Sequence, residues 1–131
     1  MTQNNISLLP LMSTIQSLRD DNGCPWDKRQ TSNSLIPHLS SEAAELVSAI
    51  ENNDLENTCE ELGDLLYIIV MIAEIHRDLG NFDMSDVIRQ VNEKLVRRHP
   101  HVFAGKTYEN ETQLAEQWEL IKAAEKKKNT V

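Results

Sequence analysis

The sequence predicts an all-α fold, four main helices and a C-terminal helix, assembled as an oligomer. Three observations carry that prediction. Apolar residues recur at intervals of three and four along most of the 131 residues. Four glycines and four prolines are too few to punctuate a turn-rich β fold. Capping residues precede the periodic segments, and Gly or Pro follows several of them.

The first helix is expected over about residues 7–20, with Leu8, Leu9, Leu11, Met12, Ile15 and Leu18 on its apolar side. Ser7 is placed to cap it, and Pro10 is tolerable because it falls in the first turn. Residues 20–27, DDNGCPWD, then read as a loop carrying one large aromatic, Trp26. A second helix is expected over about 32–52, its stripe made by Leu35, Leu39, Ala43, Leu46, Val47 and Ile50. A third opens at Asn53, which with Glu56 matches a capping box, and runs to about Leu79 before Gly80-Asn81. Every residue from Leu65 to Ala73 is apolar. A helix apolar on all sides must be buried on all sides, so this run predicts a subunit interface. Gly63 lies inside the same helix at a cost of roughly 1 kcal/mol, which suggests close approach of another helix or a ligand. Asp83 caps a fourth helix, about 84–98, with Met84, Val87, Ile88, Val91 and Leu95 inward. It ends in basic residues that complement the helix dipole, and Pro100 fixes the stop. Residues 101–110 read as a loop. Asn110 and Gln113 resemble a further capping box opening a helix over about 112–127.

Composition bounds the function. With 40% hydrophobic and 26% charged residues the chain reads as one globular domain, 1–131, with its core over about 7–125 and a short flexible tail. A net charge of −8 argues against nucleic-acid binding, which needs a basic footprint. Cys24 and Cys59 make no zinc or disulfide pattern and read as reduced thiols of a cytoplasmic protein. No secretory signal is evident, and the longest apolar run falls far short of the ~20 residues a membrane span needs.

The chemistry concentrates in two acidic pairs, Glu42 with Glu45 and Glu61 with Asp64, each three residues apart. Residues at that spacing share a helix face. If their two helices lie antiparallel, four carboxylates converge. Like charges at close quarters resist ionisation, and a hard divalent cation resolves the conflict. Any one such pair alone is ordinary solvated surface; two pairs beside apolar stripes point to metal. Lys94, Arg97 and Arg98 offer an anion site, Arg by its planar fork and Lys as a point charge. Trp118 and Lys122, four apart, put an aromatic face and an ammonium on one side of the last helix. His99 and His101 flank Pro100 but lack a third ligand for zinc.

Taken together, GCPWDKRQT at 23–31, EAAEL and AI within 42–50, EELGDLL at 60–66, KLVRRHPHVF at 94–103 and WELIK at 118–122 resemble the MazG-type nucleoside triphosphate pyrophosphohydrolases. The resemblance covers about Leu8 to Lys122 and implies an all-α helical bundle that hydrolyses NTPs or dNTPs to monophosphate and pyrophosphate with Mg²⁺, Mn²⁺ being a possible substitute. It implies metal ligation and catalysis by Glu42, Glu45, Glu61 and Asp64, and nucleotide contacts from Lys94, Arg98, Trp118 and Lys122. Arg97 and Trp26 stand beside those contacts as further substrate-binding candidates. A homodimer or homotetramer is implied as well. One departure stands out: Ser41 occupies the place where such sequences usually carry the first of two adjacent glutamates. A narrower substrate, such as phosphoribosyl-ATP, and a nucleotide sensor with weakened catalysis are the alternatives.

Overall fold

The computed structural model describes residues 6–129, and among them it contains seven helices and no strand. They are α1 (Leu9–Arg19), α2 (Pro25–Arg29), α3 (Ser32–Glu51), α4 (Leu55–Asp78), α5 (Met84–Arg98), α6 (Pro100–Phe103) and α7 (Glu111–Asn129). The chain divides into two compact units, one through Met84 and one from Ser85 onward. The end of the expected flexible tail, 130–131, lies outside the described residues.

In the first unit α3 packs against α4, and α1 packs on α4 and α2. The short connection between α3 and α4 folds them back as an antiparallel hairpin. Ile15 of α1, Leu35 and Ala49 of α3, and Ile68, Val70, Met71, Ala73 and Ile75 of α4 form the core, with Met84 closing it.

The helix starts follow local chemistry. Thr31 opens α3 with a reciprocal capping box: Ser34 N donates to Thr31 Oγ1 at 3.1 Å, and Thr31 N donates to Ser34 Oγ at 2.8 Å. At α1 the cap position is Leu8, one residue later than the expected Ser7, and no side chain caps it; Ser7 Oγ accepts from Leu9 N at 3.1 Å just outside the helix. The cap of α4 differs from expectation by one residue. Asp54, not Asn53, accepts from Asn57 N at 3.1 Å. Asn53 instead takes a left-handed φ of 53°, which Asn tolerates better than most residues, and so ends the turn after α3. Gly80, at φ 77°, terminates α4 where expected.

Two expected loops contain helix. Pro25 occupies the first position of α2, where its missing N–H costs nothing and its fixed φ favours a turn of helix. Pro100 starts α6 in the same way. Gly23, just before α2, is required by space. A Cβ there would lie 2.2 Å from the Leu18 carbonyl oxygen and 2.5 Å from that of Ser17. Cys24 N donates to that Leu18 oxygen at 2.8 Å, which draws the loop onto the end of α1.

The apolar stripes are only partly buried within this chain. Leu35 is buried, while Val47 and Ile50 of the same predicted stripe are exposed. In the Leu65–Ala73 run, Ile69 is exposed. Gly63 faces open space: a Cβ at that position would have nothing within 4 Å, so among the described residues no other helix approaches it closely. In α5, Met84 is buried but Ile88, Val91 and Leu95 are exposed.

In the second unit Asn110 Oδ1 accepts from Gln113 N at 2.8 Å, capping α7 as expected. The reciprocal bond comes from Glu109 N, not Asn110 N, to Gln113 Oε1 at 2.5 Å.

Candidate metal centre

Helix periodicity puts Glu42 and Glu45 on one face of α3 and Glu61 on the facing side of α4. There the carboxylate oxygens of the three residues lie within 4.8 Å of one another. Glu61 is buried, Glu42 half-buried and Glu45 exposed, so the cluster sits at the rim of the α3–α4 contact. Oε2 of Glu42 and Oε2 of Glu61 are buried, and among the described residues neither has a hydrogen-bond partner. Buried carboxylate oxygens without donors are costly. A group that brings positive charge and empty coordination positions would relieve them.

The electrostatics agree. Burial, followed by the neighbouring Glu45, pushes the Glu61 carboxyl up to about 7. Burial and then Glu45 raise Glu42 as well. An acid kept protonated by burial and by its carboxylate neighbours is poised to exchange its proton for a cation. An all-oxygen set of carboxylates suits a hard ion such as Mg²⁺ or Mn²⁺ far better than a soft one.

Asp64 stands apart from the three. It is exposed, and its carboxylate is outside the group whose oxygens converge. Its charge nevertheless contributes to raising both Glu42 and Glu61. Ser41 is exposed beside Glu42.

Trp26 is half-buried on α2, its ring edge-on to His38 of α3 at 5.2 Å between centroids. His38 is one turn before Glu42. The next residue after Trp26, Asp27, carries a part that sequence reasoning missed. It is buried, takes a short hydrogen bond from the Tyr67 hydroxyl, and its backbone carbonyl accepts from Arg19 Nη1 at 2.6 Å. Burial and the Asp27 carboxylate together raise the Tyr67 hydroxyl well above its ordinary value. Asp27 thus ties α2 to α1 and α4. Its only sequence signal is an acid inside an otherwise tight CPW turn.

The basic candidates lie in the second unit. Lys94, Arg97 and Arg98 of α5 and Lys122 of α7 line one cavity of about 410 Å³, together with Glu93 and Glu125. Lys122 pairs with Glu119 at 3.6 Å. Trp118 is exposed on α7, its ring 6.1 Å from that of His99 and tilted to it. The rings of His99 and His101 are 5.6 Å apart, and neither belongs to a group of three metal-ligating side chains among the described residues.

Fold and site define an all-α protein whose antiparallel helical pair presents a carboxylate cluster. The family model described as the MazG nucleotide pyrophosphohydrolase domain matches residues 30–103, which hold the whole cluster and the basic end of α5. The chain belongs to the MazG family. It is 45% identical over 131 residues to the nucleoside triphosphate pyrophosphohydrolase/pyrophosphatase MazG of Thermotoga maritima, covering 98% of this chain and 49% of that protein. It is 42% identical over 117 residues to the nucleoside triphosphate pyrophosphohydrolase of Escherichia coli K12, covering 88% and 44%. It is 46% identical over 114 residues to the uncharacterized protein YabN of Bacillus subtilis, covering 87% and 23%. The chain therefore spans half or less of the length of these relatives. The crystal structure of a mazG-related protein from Thermotoga maritima superposes with a TM-score of 0.70 at 31% identity, covering 88% of this chain and 96% of that one.

Proposed function

We propose that this chain is a nucleoside triphosphate pyrophosphohydrolase, converting an NTP or dNTP and water to the monophosphate and pyrophosphate. The observation that carries the reading is the convergence of Glu42, Glu45 and Glu61 inside a MazG domain, with two buried oxygens that have no hydrogen-bond partner among the described residues. Relatives named for this activity support it.

Glu42, Glu45 and Glu61 would hold Mg²⁺, with Asp64 reaching in by rotation of its exposed side chain. When bound, the cation supplies charge neutralisation for the phosphates and lowers the pKa of a coordinated water. The remaining work belongs to the chain. Burial of Glu61 keeps its own carboxyl short of solvating water, which strengthens its interaction with a nearby charge. Within the second unit, Lys94, Arg97, Arg98 and Lys122 offer cations for phosphate oxygens. Trp118 or Trp26 offers a face on which a base stacks. The exposed apolar residues of α3, α4 and α5 support assembly as a homodimer or homotetramer.

The test is pyrophosphate release measured over the common NTPs and dNTPs with and without Mg²⁺. Release that depends on the divalent ion is the expected result. Tight nucleotide binding without turnover of any substrate would overturn the proposal in favour of a nucleotide-binding module.

A further inference from the structure

Five cationic side chains, Lys94, Arg97, Arg98, Lys122 and Lys126, line one cavity, which raises the question of what orients them before a substrate arrives. The second unit contains a side chain placed to do so. Glu125 lies on α7, one turn beyond Lys122, and its side chain is largely withdrawn from solvent. Arg98 Nε donates to Glu125 Oε1 at 2.9 Å and reaches Oε2 at 3.4 Å. Arg97 Nη2 donates to Oε2 at 3.1 Å. One carboxylate therefore fastens two consecutive arginines of α5 to α7.

The manner of attachment decides its consequence. Arg98 is gripped by Nε, the nitrogen nearest its aliphatic stem. The far edge of the guanidinium, Nη1 and Nη2, is one of the two edges that form paired bonds to a phosphate. A carboxylate on Nε leaves that edge for a ligand and fixes the plane in which it points. We propose that Glu125 is a positioning residue for phosphate binding: it orients Arg98 toward the cavity lined by Lys94 and Lys122, while Arg97, held through Nη2, is anchored by the edge it would otherwise offer. The inference rests on the pyrophosphohydrolase reading only in taking a phosphate as the occupant of that cavity.

Two further points agree. Arginine is rotamer-rich, and a ligand that must immobilise it loses affinity in doing so. Holding Arg98 beforehand removes part of that loss. The carboxylate is also permanently charged in use: the hydrogen bonds from Arg98 and then Arg97 hold it down to about 2. Glu125 thus stays an acceptor over the whole pH range in which a triphosphate is handled. Its negative charge and that of Glu93 oppose phosphate, but against Lys94, Arg97, Arg98, Lys122 and Lys126 they leave the cavity positive.

The test is calorimetric titration of the full chain with inorganic pyrophosphate in the presence of Mg²⁺, beside steady-state turnover of an accepted nucleotide. Glu125→Ala is expected to weaken pyrophosphate binding and raise KM about five- to tenfold, as loss of one or two preorganised side chains implies. Glu125→Gln keeps an oxygen for Arg98 Nε and is expected to restore most of that loss. A purely structural role would lower thermal stability of both variants without this split. Binding by Glu125→Ala as tight as wild type, or tighter, overturns the inference, since the carboxylate would then only mask charge. So does Glu125→Gln behaving like Glu125→Ala at unchanged melting temperature. Wild-type affinity untouched by Lys94→Ala and by Lys122→Ala would overturn the phosphate reading of the cavity itself, a different failure from one confined to Glu125.

Discussion

Glu61 is the residue on which the electrostatics turn. Its carboxyl, raised to about 7 by burial and by Glu45, is protonated in the metal-free fold well above the pH at which an unfolded glutamate ionises. Between those two values the folded chain holds more protons than the unfolded one, so stability falls as pH rises through the window and levels off above it. The metal-free protein is expected to melt at a lower temperature at about pH 8 than at about pH 6, with Mg²⁺ reversing the difference, because cation and proton compete for the same oxygens. Differential scanning calorimetry at both pH values, with EDTA or with Mg²⁺, reads this directly. Two glycines give opposite predictions. At Gly23 a methyl group would meet the carbonyl oxygens of Leu18 and Ser17, so Gly23→Ala should cost about 3 kcal/mol in urea unfolding. At Gly63 there is open space, so Gly63→Ala should gain up to about 1 kcal/mol from helix propensity alone. A loss at Gly63 would mean that another chain or a ligand comes close there.

At the scale of elements, most of the helices were legible because apolar spacing and caps agree. Three of the four acids were legible for the same reason: a spacing of three puts Glu42 and Glu45 on one helix face, and the facing helix brings Glu61 to them. Three features were hidden. Asn53 looks like a cap, but its tolerance of positive φ gives it the turn and passes the cap to Asp54. Asp54→Ala should therefore destabilise the chain by about 1 kcal/mol in denaturant unfolding, with Asn53→Ala acting instead through backbone strain. Residues 25–29 read as loop because Asn-Gly and Pro dominate the local signal. Tertiary ties from Asp27 to Tyr67 and Arg19 stabilise the turn of helix there, and no local pattern announces them. Asp64 was grouped with the other acids by spacing, but spacing does not fix a side-chain rotamer, and its carboxylate lies outside the converging three.

For the whole molecule, the all-α class was readable from composition and periodicity. The division into two compact units falls after Met84, the first residue of α5, just beyond the Gly80-Asn81 stop. What one chain leaves uncovered is equally informative. Val47 is 53%, Ile50 57% and Leu62 54% exposed, on helices whose other faces form the core. Isolated exposed apolar residues are ordinary, but long helices left apolar on their outer faces are expected to meet a partner surface. Light scattering is expected to give a mass of at least twice the chain's 14.9 kDa, and Ile50→Glu with Leu62→Glu to shift it toward monomer.

The central claim is that Glu42, Glu45 and Glu61 together hold a divalent cation. Titration of the metal-free chain with Mn²⁺, followed by the electron paramagnetic resonance signal of the free ion, tests it without requiring any substrate. Saturable binding that Glu61→Gln weakens at least tenfold, at an unchanged helical circular dichroism spectrum, is the predicted result. Equal Mn²⁺ binding by wild type and Glu61→Gln would contradict the account.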